Sequence, residues 1–109
     1  MNRTPLPISV AVARNLPWKP GRSAEAFIDG DLEVRFTPGP SRGLQTPHER
    51  DELYFVAAGS GRYRVGDEVT AVGTGDLLFA AAHMAHGFEE FSDDFAVWII
   101  FYGPVKPKT

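Results

Sequence analysis

Glycine and proline punctuate this chain so evenly that no long regular element can form in it. Eleven Gly and nine Pro are spread over 109 residues, with neither a low-complexity tract nor an internal repeat. Asp29-Gly30 parts residues 26–28 from 32–36, and Pro38-Gly39-Pro40 opens a loop that runs to Pro47. Gly59-Ser60-Gly61 parts residues 53–58 from 62–65, and Gly66-Asp67 parts these from 68–72. Gly73-Thr74-Gly75-Asp76 precedes residues 77–80, and Ser92-Asp93-Asp94 introduces the longest apolar run, residues 95–102. Short strand-forming pieces separated by turn residues predict an all-β sandwich or barrel with antiparallel strands.

The pieces themselves fit that class. Leu32-Glu33-Val34-Arg35-Phe36 alternates with period two, as a half-buried strand does. Val97-Trp98-Ile99-Ile100-Phe101-Tyr102 is β-branched and aromatic throughout, and is expected as a central strand covered on both faces. Residues 23–27 carry some helical character. Four of the nine Pro fall in the first 20 residues, so residues 1–22 read as an extended arm or edge strand suited to dimer contacts. Residues 23–103 would form the barrel and 104–109 a tail. One stretch argues for helix: Thr46-Pro47-His48-Glu49 has an N-cap, a first-turn Pro and a capping-box Glu, and Gly59 could stop such a helix. Against it, Leu53-Tyr54-Phe55-Val56 is strongly strand-forming and would wrap apolar groups around most of a helix. Local rules favour the strand.

Length and charge bound the function. The chain has the size of one domain, and about two-thirds of its unfolded surface would be hidden on folding. Eight Phe, three Tyr and two Trp are enough for one core. Cysteine is absent, which removes disulfides, thiolate metal sites and cysteine nucleophiles together. Eleven basic against 14 acidic residues give a net charge of −3, without the basic surplus of a nucleic-acid binder. No apolar run approaches a membrane helix, and the apolar stretch at residues 8–13 is too short for a secretory signal. A cytoplasmic protein with neither nucleic-acid nor membrane partner is expected.

Chemistry must come from few groups. The three histidines, His48, His83 and His86, stand at loop-to-strand boundaries beside apolar segments. One such histidine alone is ordinarily structural. Grouping changes the reading: His48 and Glu52 open one strand, His86 opens another, and two imidazoles with a carboxylate suit a first-row divalent metal if the strands are neighbours. Arg62-Tyr63-Arg64 reads as a solvated strand with its aromatic in the core, and Arg35 can face solvent or interior. Glu89-Glu90 and Asp93-Asp94 read as an acidic turn region. Gly59-Ser60-Gly61 lacks the following Lys and helix of a phosphate loop.

These residues carry a family resemblance. His48, Glu52 after three intervening residues and Gly59 after six more intervening residues resemble the first motif of the cupins, and Gly75 with His86 resembles the second. The resemblance covers residues 40–90 and settles the helix-or-strand question for the strand. It implies a small jelly-roll barrel (a double-stranded β-helix), most often a homodimer, with His48, Glu52 and His86 as metal ligands. Mn, Fe, Ni, Zn or Cu would each suit, acting on a small polar molecule. The sequence departs from the pattern where Thr46 replaces the first motif's leading His, Pro40 its opening Gly, Ala81 and His83 the second motif's Pro and Gly, and Glu90 its Asn.

Strand parity adds to this. Residues 52, 54 and 56 share a face, so Tyr54 and Val56, with Phe88 beside His86, are expected to line the pocket. Leu53 and Phe55 would then pack between sheets or in a dimer interface. An inward Glu52 carboxylate needs a cation, because burying it unpaired is costly. His83 could swing inward to replace the missing ligand, whereas Gln45 and Glu49 have the wrong parity and Thr46 could at most hold a water. If an enzyme, the chain would be a metal-dependent oxygenase or isomerase. The alternative is a metal-free binding or sensory module with a degenerate site.

Overall fold

Alternating residues between glycine turns form nine strands and one short helix among the residues described by the computed structural model, which are 8–17, 19, 22–40, 42–45 (44 and 45 by backbone only) and 48–107. The helix is α1 (Val10–Ala13). The strands are β1 (Ala24–Asp29), β2 (Leu32–Thr37), β3 (Gly43–Gln45), β4 (Asp51–Ala58), β5 (Ser60–Val65), β6 (Glu68–Gly73), β7 (Leu77–Ala80), β8 (His86–Phe91) and β9 (Ala96–Tyr102). They build a five-stranded sheet in the order β1-β2-β9-β4-β7 and a four-stranded sheet in the order β3-β8-β5-β6. All strand pairs are antiparallel. The class is the expected all-β one.

The stretch that could start a helix at Thr46 is strand from Asp51 onward, hydrogen-bonded to β7 on one side and β9 on the other. Two full ladders outweigh a capping box. Thr46 and Pro47 themselves lie outside the described residues. Residues 24–27 are strand as well, because Asp29-Gly30-Asp31 closes a β1–β2 hairpin with Gly30 at φ 60°. In the segment expected to be extended, residues 10–13 instead make one helical turn, capped by the Ser9 hydroxyl accepting from the Val12 N–H.

Parity sorts the five-stranded sheet. Glu52, Tyr54 and Val56 on β4 share the inner face with Val97, Ile99 and Phe101 on β9 and Leu78 and Ala80 on β7. Against them pack residues of the four-stranded sheet and Phe95, giving a core of Tyr54, Val56, Tyr63, Val72, Ala80, Phe88, Phe95 and Val97. Phe88 is its hub. Its ring centroid lies 5.2 Å from Tyr54, 5.3 Å from Tyr63 and 5.1 Å from Phe95. Tyr63 is in the core as expected, between an exposed Arg62 and an Arg64 paired with Glu89 at 2.7 Å. Glu89 and Glu90 therefore belong to β8 and not to a turn.

The outer face of the same sheet is also apolar. Ala13 of α1 covers one end of it, packing with Phe36, Ala96 and Trp98. Beyond that cover, Phe27, Val34, Phe55, Leu77, Trp98 and Ile100 line an open depression with Ile8. Leu53 and Phe55 point to this outer side and not between the sheets. For the same reason β9 is central in its sheet, yet only Ala96 and Val97 are sealed, and residues 98–101 stay half-buried.

The glycine between β4 and β5 is required where it stands. Gly59 has φ 80°, and a Cβ there would come within 2.5 Å of Ser92 Oγ and 2.8 Å of the Phe95 Cα.

Candidate metal centre

His48 lies three residues ahead of β4, Glu52 is the second residue of β4, and His86 is the first of β8. Strands β4 and β8 belong to different sheets. The three side chains therefore meet across the gap between the sheets, their strands being neighbours across the barrel and not within one sheet. The inner-face parity of Glu52 and the register that sets His86 opposite Val65 aim both side chains into that gap.

Ligand-type atoms of His48, Glu52 and His86 lie within 4.8 Å of one another, a group that could hold a metal ion. Glu52 Oε1 is 2.8 Å from His86 Nε2 and 3.6 Å from His48 Nε2. Glu52 and His86 are each 1% exposed, whereas the His48 side chain is 39% exposed, so the group is open on the His48 side. The His48 ring meets that of Phe101 edge-on, with centroids 5.2 Å apart.

Hydrogen bonding fixes how His86 presents itself. Its Nδ1 lies 2.8 Å from the Met84 carbonyl, which can only accept, so Nδ1 carries a proton. In the neutral ring Nε2 then offers a lone pair, facing Tyr54 Oη at 3.0 Å and Glu52 Oε1 at 2.8 Å. Two lone pairs at that separation require a positive charge between them, either a proton or a metal cation. Glu52 Oε1 is moreover buried with no aligned hydrogen-bond donor.

The titration of these groups follows from the same contacts. Burial of His86 opposes the imidazolium, but the Glu52 carboxylate and the Met84 carbonyl outweigh it and raise its pKa above the ordinary histidine value. Burial, with the nearby Glu52 charge, pushes the Tyr54 hydroxyl well up, so the phenol keeps its proton. Tyr63 is raised by burial in the same way, and its hydroxyl donates to the Phe79 carbonyl at 3.1 Å.

The remaining expected residues are placed differently. Tyr54 reaches the centre through its hydroxyl. Val56 and Phe88 are fully buried in the core, with no surface open to solvent, and so do not line an open pocket. His83 does not swing inward: its Nε2 donates to the Lys106 carbonyl at 2.8 Å. Glu49 is exposed, and the side chain of Gln45 lies outside the described residues. Arg35 shares a face with Ile99 and so lies on the inner side of its sheet, held by Ser23 and by Glu33. Two partners have no counterpart in the sequence reading. One is the Met84 carbonyl, for which no side-chain signal exists. The other is Asp51, 8% exposed although strand parity sets it on the opposite face from Glu52, so no local pattern marks its burial.

Two antiparallel sheets facing each other, with two histidines and a carboxylate converging between them, define a small double-sheet β-barrel with a candidate metal-binding group. The chain belongs to the cupin family, whose domain model matches residues 32–102. An uncharacterized protein of Streptomyces coelicolor, SCO3923, is 40% identical over 60 residues, or 55% of this chain and 57% of that protein, so the match spans little more than half of that relative. Among solved structures, KdgF from Halomonas sp. superposes with a TM-score of 0.67 at 23% identity, covering 79% of this chain and 82% of that one. A cupin 2 conserved barrel domain protein from Salinispora arenicola gives 0.66 at 17% identity, covering 94% and 89%. The DMSP lyase DddQ from Ruegeria pomeroyi gives 0.56 at 20% identity, covering 73% and 42%. At these identities the likeness to solved structures establishes the fold. Among the described residues no helix is long and apolar enough to cross a membrane.

Proposed function

We propose that this chain is a small cupin that holds a divalent transition metal on His48, Glu52 and His86 and acts on a small polar molecule at the His48 side of the barrel. The observation that carries this reading is Glu52: a carboxylate oxygen buried without an aligned donor among the described residues, 2.8 Å from an imidazole nitrogen whose other nitrogen is committed to the Met84 carbonyl. Two imidazoles and one carboxylate fit Mn, Fe, Ni, Zn or Cu. A cation bound there would supply Lewis-acid polarisation or an oxygen-activating centre, as in an isomerase or oxygenase. The chain's own residues supply the rest. Met84 fixes the ring of His86, Tyr54 directs a hydroxyl proton at the centre, and Phe101 backs the exposed ring of His48. That the DMSP lyase DddQ has this fold supports an enzymatic use of the barrel.

Metal analysis of protein purified without chelators tests the reading. A near-stoichiometric transition metal is expected in the wild type, and loss of it in His86→Ala. A wild type holding less than about a tenth of an equivalent, with no gain in melting temperature on adding metal, would overturn it, since a bound ligand stabilises the folded state by mass action. One observation favours a second reading, a metal-free binding or sensory module. Tyr54 Oη already sits 3.0 Å from His86 Nε2, and Thr46 stands where the family pattern has a histidine. The same measurement decides between the two.

Homodimerisation and a cytoplasmic setting complete the proposal. Phe55 is 41%, Phe79 51% and Leu77 63% exposed on the outer sheet face, a contiguous apolar surface that supports burial against a second copy. Sedimentation equilibrium is expected to give twice the chain mass for the wild type and the single-chain mass for Leu77→Glu. A wild type of single-chain mass at every concentration would exclude the dimer. The cysteine-free composition is compatible with a reducing compartment.

A further inference from the structure

The three ligand residues are not held equally. Glu52 and His86 sit in strands with ladder partners, and each is 1% exposed. His48 precedes β4, makes no ladder pairing, and leaves 39% of its side chain in solvent. Something outside the sheets must set its place.

Three segments meet behind it. The His83 N–H donates to the His48 carbonyl at 2.7 Å, and the His83 ring Nε2 donates to the Lys106 carbonyl at 2.8 Å. The Lys106 N–H returns to the Glu49 carbonyl at 2.8 Å, and its ammonium pairs with Asp51. The second oxygen of Asp51 accepts from the Ala82 N–H at 2.9 Å. The contacts close a ring through residues 48–51, the 82–83 turn and Lys106. Arg50 adds a bond from its Nε to the Gly103 carbonyl at 3.3 Å. His83 makes its two contacts from φ 67°, and among the described residues it is the one non-glycine in the left-handed region. A residue held in that conformation is fixed by its surroundings, and here those surroundings are the loop carrying His48.

We propose that His83 and Lys106 are positioning residues, forming a clasp that draws the segment after β9 onto the turn before β8 and so holds His48 in register with Glu52 and His86 for metal binding. The inference rests on the metal-binding reading above. It gives His83 a role one step removed from the metal.

The test uses the full chain with Zn(II) and Co(II) as probes. His83→Asn keeps a residue type that tolerates the left-handed backbone and removes the imidazole donor. Lys106→Met removes the ammonium and keeps the stem, and Lys106→Arg restores the charge. In competition with a chromogenic chelator, His83→Asn and Lys106→Met are expected to bind Zn(II) about 10–100-fold more weakly than the wild type, the range for partners that orient ligands. Lys106→Arg should recover most of that loss. The visible spectrum of the Co(II) protein should change in the two weakened variants, which a general loss of stability would not cause. Folded His83→Asn and Lys106→Met proteins with wild-type affinity and spectrum would overturn the clasp. If the wild type itself takes up neither ion, the metal reading fails and the clasp is judged on metal-free protein by amide exchange. Faster exchange at residues 48–51 in Lys106→Met would support it, and unchanged exchange would overturn it.

Discussion

The space between the two sheets has two ends, built from the same strands yet opposite in character. Strand β4 supplies Val56 at one end and Glu52 at the other, and β8 supplies Phe88 and His86. Parity puts all four inside, so inward direction alone does not make a residue polar or apolar. At the aromatic end each ring has partners, with Phe91 and Phe95 stacked at 5.2 Å behind Phe88. At the polar end two imidazoles and a carboxylate converge, and among the described residues Glu52 Oε1 lacks an aligned donor. One end packs rings against rings, and the other sets a carboxylate 2.8 Å from an imidazole nitrogen, a pair that a proton or a metal cation would complete.

The largest expected effect of substitution therefore lies at the aromatic end. Phe88→Ala should lower the stability of the metal-free protein by about 3–5 kcal/mol, a large share of the total for a domain of this size. Urea unfolding measures it. The contrast between the ends breaks if Phe88→Ala costs less than His86→Ala in the same buffer.

A smaller effect sharpens the contrast through pH. The Lys106 ammonium and the Ala82 N–H hold the Asp51 carboxyl below its ordinary value of 3.8. Its contribution to stability is then complete above that value and lost as pH falls below it. His86 has the opposite sign: its pKa is raised above 6.5, so its contribution is complete below 6.5 and lost as pH rises through the folded value. Denaturation midpoints of metal-free protein should fall off on both sides, with Asp51→Asn flattening the acid limb and His86→Ala the alkaline one. An alkaline limb that persists in His86→Ala would show that another group governs it.

Much of this was legible from the residues. The spacing of Gly59, Gly75 and His86 reflects turns that the barrel needs, and Gly59 proves to have no room for a Cβ. The grouping of His48, Glu52 and His86 was legible through the likeness to the two cupin motifs, since no local rule brings β4 and β8 together from different sheets. The partners of those residues were not. Lys106 lies 55 residues from Asp51, and no local rule couples a residue beyond the last strand to a loop in the middle of the chain. A histidine three residues before His86 offers itself as a ligand, whereas the backbone conformation of His83 and its bond to Lys106 depend on tertiary contacts. Burial depends on what lies opposite a strand, which no local pattern gives. Val56 and Phe88 pack with Phe95 in the core, and Leu53 and Phe55 face outward, which leaves them the dimer-interface alternative and removes the one between the sheets.

The place of β9 bears on how the chain is made. Among the described strands it comes last in chain order, yet it lies between β2 and β4, which have no direct ladder with each other. As the ribosome delivers the chain, the β1–β2 and β5–β6 hairpins can form early from neighbouring residues. The five-stranded sheet stays in two pieces until residues 96–102 have emerged. Until then the chain carries the facing edges of β2 and β4 unpaired and its apolar faces uncovered, which is the period in which a holding chaperone would matter most.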